Sequence, residues 1–431
     1  MRGRETKRRY PTLPMNILVI HQQFLRPNEG GGSRFNEFSR LWSEAGHSVT
    51  VVAGQTSYAT GKRSPEYRRH WVHREHVGDV TILRAYTPEA EMTSFVSRLW
   101  NFFCFMFSAL WAVFLLAPKP DVIIATSPQL IVAVPGVLGA ALRRCPLVFE
   151  VRDLWPETGI TMGAIRKGSL FERALSWLEA WAYRKAAAIN VLTPAFKDSI
   201  VLRGLAAPEK IWFIPNGADA WQRPDDAVMA EVRERSGWQA QFVALYAGAH
   251  GTANDLIQLV RAAEQLRMVP DVHLATVGSG AQLAQLRAEV IRRGLTNISF
   301  LGSVPKAEMP GILAAADVGV AVLKKCDTFK TVYPNKVFDY MSMRLPVLIA
   351  IDGIARELVE HAGAGIFVEP DDAKALARGV VWLRNNTEAA AEMGCKGERH
   401  VREHFDRAAL AREYIQAMSS LLPAPKGGPG R

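Results

Sequence analysis

Residues 331–361 read TVYPNKVFDYMSMRLPVLIAIDGIARELVEH, and this stretch decides the fold. It parses as loop, helix, strand, loop, helix. Pro334, Asn335 and Lys336 lead into a helix that carries Val337, Phe338 and Met341 on its apolar side. Pro346 then opens the apolar run VLIA at 347–350, and Asp352-Gly353 turns the chain again. Such a unit is half of a nucleotide-binding α/β domain. Ligands collect there at the carboxyl ends of parallel strands, where loop amides and the next helix N-terminus form a positive pole. Lys336 adds a cation beside Asn335, and Asp339, one turn on, is able to accept two hydrogen bonds from vicinal hydroxyls such as those of a ribose.

The same logic recurs upstream. Residues 242–247 (FVALYA) predict a strand that ends in the loop GAHGTAN at 248–254, so Gly248, His250 and Gly251 are candidates for a phosphate cradle, with a purely structural His250 as the alternative. Further strands end at Gly278 (ATVGSG, 275–280) and Gly302 (ISFLGSVP, 298–305), and 316–322 leads back to the opening stretch. The pattern from 373 to 422 is helical.

The first half repeats the plan. Residues 16–21 (NILVIH) predict a buried strand, followed by Gly30-Gly31-Gly32 and a helix with Phe35, Phe38, Leu41 and Trp42. Directly after strand one, Gly31 and Gly32 favour a phosphate or acceptor site over a plain flexible loop, with Arg34 supplying charge. Residues 48–53 form the second strand. The strand at 146–151 delivers EVRDLWP to its carboxyl end, which makes Arg152 and Asp153 candidates for contacts to a sugar or acceptor; a surface ion pair is the alternative. Strands at 187–193 and 210–215 follow, and PNGAD at 215–219 breaks the pattern.

Residues 99–117 (LWNFFCFMFSALWAVFLLA) are uncharged and rich in aromatics, between Arg98 and Lys119. As a helix this is about 29 Å long, close to a bilayer's hydrocarbon thickness. Topology argues against a span, because 121–125 should be a parallel strand beside strands one and two, which keeps both flanks in one compartment. An interfacial or shallowly inserted helix is expected, with aromatics pointing all round, and an ordinary buried helix or a re-entrant or spanning segment as alternatives.

At 431 residues with 48% hydrophobic content, the chain exceeds one core and fills two. Lys and Arg outnumber Asp and Glu by 52 to 42, locally at 1–9 and at 62–76, where Arg63, Arg68, Arg69 and Arg74 fall. Without an RNA- or DNA-binding motif, the second run reads as a solvated loop or an anionic-membrane contact rather than a nucleic-acid site. Cys104, Cys145, Cys326 and Cys395 are scattered, as in a reduced cytosolic protein, and the start lacks a convincing secretory signal. No Asp-x-Asp and no His, Cys and acid cluster at ligand spacing is present, so no bound metal is expected.

The segments PNKVFDYM, EVRDLWPE and PNGAD resemble retaining glycosyltransferases of family 4, in a subgroup that builds bacterial O-antigen, colanic acid and capsular sugars, and the similarity runs over about residues 15–420. The resemblance implies a GT-B fold: two Rossmann-like, doubly wound parallel-sheet domains facing a cleft. It divides the chain into a basic tail (1–14), an acceptor-side domain (15–215), a donor domain (216–405), a helix crossing back to the first domain (406–422) and a second tail (423–431). In the family, a Glu and a second Glu eight residues on contact the donor sugar and the ribose. Thr331 and Asp339 stand at those places, so Thr331 offers the sugar only a hydroxyl. The loop holding Gly31 and Gly32 would lie under the diphosphate, and the Gly302 loop would frame the base. The family's Arg and Lys are missing from 248–254, which leaves His250, backbone amides and Lys336 to do more.

The implied activity is transfer, with retention, from a UDP-sugar of the N-acetylated hexosamine or deoxyhexosamine type to a polyprenyl-diphosphate-linked glycan. It would occur at the inner face of the cytoplasmic membrane, without cofactor or metal. A UDP-sugar 2-epimerase, or a catalytically decayed nucleotide-sugar-binding scaffold, are the competing readings; an NAD oxidoreductase is weaker, since no Gly-x-Gly-x-x-Gly follows strand one.

Overall fold

The computed structural model describes residues 13–27, 29, 34–57, 61–89, 95–219 and 221–423. Gly31, Gly32, residues 1–12 of the expected basic tail and 424–431 of the second tail lie outside them.

Two sheets organise the chain. The first contains β1 (Asn16–Ile20), β2 (Ser48–Gly54), β3 (Val72–Val77), β4 (Val80–Ala85), β5 (Val122–Thr126), β6 (Leu147–Val151), β7 (Ala188–Val191) and β8 (Ile211–Phe213), in the order β3-β4-β2-β1-β5-β6-β7-β8. All pair in parallel except the β3–β4 hairpin. The second contains β9 (Phe242–Ala247), β10 (Val272–Val277), β11 (Ile298–Gly302), β12 (Val318–Val322), β13 (Val347–Ala350) and β14 (Gly365–Phe367), all parallel, in the order β11-β10-β9-β12-β13-β14. Strand order reverses beside β1 and beside β9, and at such switch points a crevice opens above the carboxyl ends.

The near-continuous apolar strands follow from burial on both faces. In β1, Leu18 and Ile20 enter one core layer, while Ile17 and Val19 enter the layer on the other side of the sheet. The second sheet divides in the same way: in β12, Val318 and Val320 face one layer and Ala321 the other.

Helix α1 (Arg34–Glu44) places Phe35, Phe38 and Trp42 in the first domain's core, as their helical spacing requires. The helix Arg407–Ser419 crosses back onto it, inserting Leu410, Tyr414 and Met418, and the Trp42 indole donates to the Ala411 carbonyl at 3.0 Å. At the crossing, Ala218 bridges Asp406, and Arg407 donates to the Gly217 carbonyl (2.8 Å) and pairs with Asp219.

The aromatic stretch forms α2 (Phe95–Trp111), followed by a π-helical turn, Ala112–Leu116. Its side chains are sorted rather than pointing all round. Asn101, Phe105, Ser108, Ala109 and Ala112 lie at helical spacing on a buried side, whereas Trp100, Phe103, Phe107 and Trp111 are exposed. Because β4 and β5, on either side of α2, belong to one sheet, the helix enters and leaves on the same side. Two of the basic residues at 62–76 are structural: Arg63 lies over the Tyr86 ring, and Arg74 donates to the Leu116 carbonyl at 3.1 Å.

Candidate functional site: the cleft between the strand ends

In the second domain, β9 runs into residues 248–251. The Gly248 amide donates to the Val277 carbonyl and the His250 amide to the Ser279 carbonyl, both at 2.9 Å, which laces this loop to the one after β10. A Cβ on Gly278 would overlap the Gly248 carbonyl, and one on Gly280 the His250 backbone. These glycines are required where two loops meet backbone to backbone. Gly302 closes β11 in the left-handed region (φ +78°), and its carbonyl accepts from the Gly278 amide at 2.8 Å. Among the described residues, the amides of Ala249 and Gly251 make no hydrogen bond, so the loop offers two donors rather than four.

His250 turns inward, in keeping with the structural alternative. Its side chain is buried, with Nε2 3.1 Å from Thr276 Oγ1. Burial lowers its pKa; the Gly248 backbone opposes this, and Lys336 and Arg287 add to it. A neutral, inward-facing ring pegs the loop in place.

The helix Asn335–Ser342 sets the side chain of Lys336, in its first turn, against Gly248 of this loop. Lys336 Nζ sits 3.9 Å from the centre of the Tyr246 ring and 3.3 Å from Asn254 Oδ1, and no carboxylate pairs with it among the described residues. Burial pushes its pKa down to about 7. The Oδ1 atom of Asn335 is buried without a partner. Burial also pushes Asp339 up to about 7, with Arg407 and Lys306 opposing and Asp219 reinforcing. Three residues apart, Lys336 and Asp339 project from the same side of one helix, the first towards Tyr246 and Asn254, the second towards Arg407, Lys306 and Asp219.

Thr331 is held from both sides. Its hydroxyl donates to the Thr328 carbonyl at 2.7 Å, while its own carbonyl accepts from Thr193 Oγ1 of the first domain at 2.9 Å. The hydroxyls of Thr161 and Thr328 meet beside it at 2.6 Å. Only the lone pairs of the Thr331 hydroxyl are left for a sugar.

In the first domain, β6 delivers Arg152 and Asp153. Arg152 Nη1 donates to His21 Nε2 at 3.0 Å, which joins the ends of β6 and β1. His21 is buried, and that burial, with Arg152 and then Arg84, holds its pKa well below the usual value. Burial raises Asp153 to about 6, with Arg152 opposing. This pairing with a histidine differs from the surface ion pair weighed for Arg152.

Arg34 is the clear correction. It is buried and grips Glu150 with two hydrogen bonds of 3.1 Å. Its other donors reach the Pro215 and Ile214 carbonyls, and its guanidinium lies over Phe38. The charge expected to face a ligand instead ties α1 to β6 and to the interdomain linker.

Lys306 escaped the sequence reading. Its ammonium bridges Glu37 of α1 (2.6 Å) and Asp219 of the linker (2.9 Å), which holds the second domain against the first. Nothing in the run SVPKAE signals this, because both partners are distant in sequence.

Two Rossmann-like domains whose strand ends face each other across a cleft define the GT-B fold. Residues 29–217 match the Glycosyl transferase 4-like domain, and residues 241–386 match the Glycosyl transferases group 1 domain; the chain is a glycosyltransferase. It is 25% identical over 378 residues to WcaI of Escherichia coli (strain K12), named as a colanic acid biosynthesis glycosyl transferase, covering 85% of this chain and 91% of WcaI. Against WbjE of Pseudomonas aeruginosa, named as a glycosyltransferase, identity is 26%, covering 61% of this chain and 66% of WbjE. The fold also matches HepE of Anabaena, solved with UDP-glucose, at a TM-score of 0.71 and 19% identity, covering 94% of this chain and all of HepE.

Proposed function

We propose that this glycosyltransferase moves a sugar, with retention, from a UDP-sugar to a polyprenyl-diphosphate-linked glycan during synthesis of a bacterial surface polysaccharide. The observation that carries the donor half is the Lys336 and Asp339 pair: an uncompensated ammonium over Tyr246 at a helix N-terminus, and a carboxyl one turn on. A diphosphate bound there takes the ammonium, the helix N-terminus and the free amides of Ala249 and Gly251, while the ribose diol donates to Asp339. The bond that breaks joins the anomeric carbon to the diphosphate, and these same groups stabilise the charge that develops on the departing UDP. Arg152 and Asp153 stand on the acceptor side. The Thr193–Thr331 and Lys306 contacts close the cleft, which keeps water from competing with the acceptor. That HepE was solved with UDP-glucose, and that WcaI is named for colanic acid synthesis, support the donor and polymer classes. Retention and the lipid-linked acceptor are carried by the family resemblance, and work at the inner face of the cytoplasmic membrane follows from that acceptor.

The test is a thermal-shift titration with UDP, GDP and NAD in parallel, repeated on Asp339→Ala. Stabilisation by UDP alone, lost in the variant, is expected. A GDP response keeps the transferase and changes the donor. Absence of any nucleotide response overturns the donor site, and conversion of a UDP-sugar without acceptor would make the protein an epimerase.

A further inference from the structure

We propose that α2, α3 (Ala133–Arg143) and α5 (Leu170–Lys185), the latter preceded by the short α4 (Glu157–Thr161), form one continuous face that docks on an anionic bilayer. The inference rests on the lipid-linked acceptor proposed above and names the surface that would bring the enzyme to it.

The three helices cover the same side of the first sheet. Their inner side chains, Phe105, Val137 and Tyr183 among them, share one core layer, so their outer sides make one surface. On that surface stand Trp100 (63% exposed), Phe103, Phe107 (59%), Trp111 (52%), Leu142 and Trp177 (63%). Trp177 stacks on Trp181, with ring planes 11° apart. Indoles are favoured at the depth where headgroups meet acyl chains, and an apolar patch of this extent across three helices is unusual on a surface that meets only water.

The charge around the patch selects the occupant. Each helix links two parallel strands, so all three run antiparallel to the strands and end at one edge of the domain. Just past or within those ends lie the exposed Lys119, Arg144, Arg184 and Lys185. Anionic headgroups neutralise these cations, whereas a purely apolar partner surface would leave them unmatched. The helix also reaches the cleft: Asn101, on the inner side of α2, accepts from Gln22 Nε2 at 2.7 Å, and Gln22 follows His21 at the end of β1. Docking through this face therefore holds the acceptor-side strand end next to the bilayer. The packing is stiff at the other end, where Arg143 donates to the carbonyls of Val113, Phe114 and Ala117 and so satisfies the end of the π turn.

The experiment is flotation of the full chain with vesicles of pure phosphatidylcholine or with about one third phosphatidylglycerol, at low and high salt. It is run on the wild type, on Trp100→Ser/Phe107→Ser/Trp111→Ser combined, and on Arg144→Glu/Arg184→Glu/Lys185→Glu combined. Wild type should float with the anionic vesicles, at least tenfold less with the neutral ones, and less again at high salt. Both variants should lose binding at least tenfold. Equal flotation of wild type and both variants, or a wild-type dimer that the aromatic variant converts to a monomer in light scattering, overturns the proposal. UDP thermal shift on the same samples separates the two readings: vesicle binding lost in the variants stands for the docking face even if UDP fails to stabilise any of them.

Discussion

Two cations, the buried Arg34 and the half-buried Lys336, meet opposite fates in this molecule. Arg34 has a bidentate carboxylate and two carbonyls, so every part of its guanidinium is matched. Lys336 has an aromatic face and one amide oxygen, with its charged form disfavoured by burial. A desolvated cation with no anion of its own is a costly component of an empty protein and a useful one in a complex. Saturated donors mark architecture; unmet charge marks the ligand site. Arginine suits the first task because its planar fork is held by fixed acceptors, and lysine the second because its protonation responds to its surroundings.

The largest expected effect is at Arg34. Arg34→Met leaves Glu150 buried without its cation, with only neutral groups such as Asn190 beside it, and should cost about 3–5 kcal/mol in urea unfolding. Folded molecules of the variant should bind UDP as the wild type does, measured by calorimetry below the unfolding transition. A variant of normal stability that has lost UDP binding would break the contrast by making Arg34 a ligand residue.

Lys336→Met should do the reverse. Losing a charge-assisted contact to a diphosphate weakens UDP binding by about 10- to 100-fold, while the unliganded protein melts no lower than wild type, since a disfavoured charge has been removed. The pH dependence follows from the same burial. With a folded pKa near 7, below its ordinary value, Lys336 subtracts stability increasingly as pH falls from about 10 towards 7. A bound diphosphate prefers the ammonium, so UDP binding takes up a proton above pH 7 and its affinity should decline as pH rises through that range. Calorimetry in buffers of different ionisation enthalpy reads that proton directly.

Asp339 sharpens the comparison from the acid side. Its folded pKa, raised to about 7, means that the buried carboxyl is harmless at low pH and lowers stability as pH climbs from about 4 through 7. Asp339→Asn should therefore melt like wild type near pH 4 and be more stable at pH 8, by about 1–2 kcal/mol once residual solvent access is allowed for. The ribose diol donates best to the ionised form, so wild-type UDP affinity should rise towards pH 7 before Lys336 reverses it. In Asp339→Asn the rising limb should vanish; a bell unchanged by the substitution would detach Asp339 from the ribose.

Much of this was legible in the sequence because the signals are local. Apolar strand runs, loop glycines and the Pro-Asn-Lys entry set the two parallel sheets and the helix Asn335–Ser342 that carries Lys336 and Asp339, without reference to anything far along the chain. Arg34 could not be sorted in the same way. Its partner Glu150 lies 116 positions on, and a lone acid in the run LVFEV was the only hint that a strand end carried a buried charge. His250 stayed open between two readings for a related reason: whether a loop histidine points at solvent or at the neighbouring strand depends on Thr276, a contact set by strand pairing. The helix α2 was located by composition, but its two-sidedness needed Asn101 and Ser108, small breaks in the apolar run that mark the side facing Gln22 and the Tyr86 carbonyl.

The smallest effect tests whether the domain closure seen here belongs to the reaction. Thr193 donates to the Thr331 carbonyl across the cleft, and Thr193→Val keeps the shape of the side chain while deleting that donor. One neutral hydrogen bond contributes about 0.5–1.5 kcal/mol, and Thr193 also caps the following helix through Phe196 N at 3.2 Å, so part of any loss of stability is local to the first domain. The informative readout is therefore partitioning between transfer and hydrolysis of the UDP-sugar. UDP affinity should change little, because Lys336 and Asp339 lie wholly on the second domain. A cleft that closes less often admits water, so the hydrolysed fraction should rise by a factor of about 2–10 at unchanged donor affinity, following the hydrogen-bond energy. If hydrolysis stays at the wild-type level while UDP affinity falls, the Thr193–Thr331 contact shapes the donor site itself, and the division between an architectural first domain and a ligand-charged second domain has to be redrawn at Thr331.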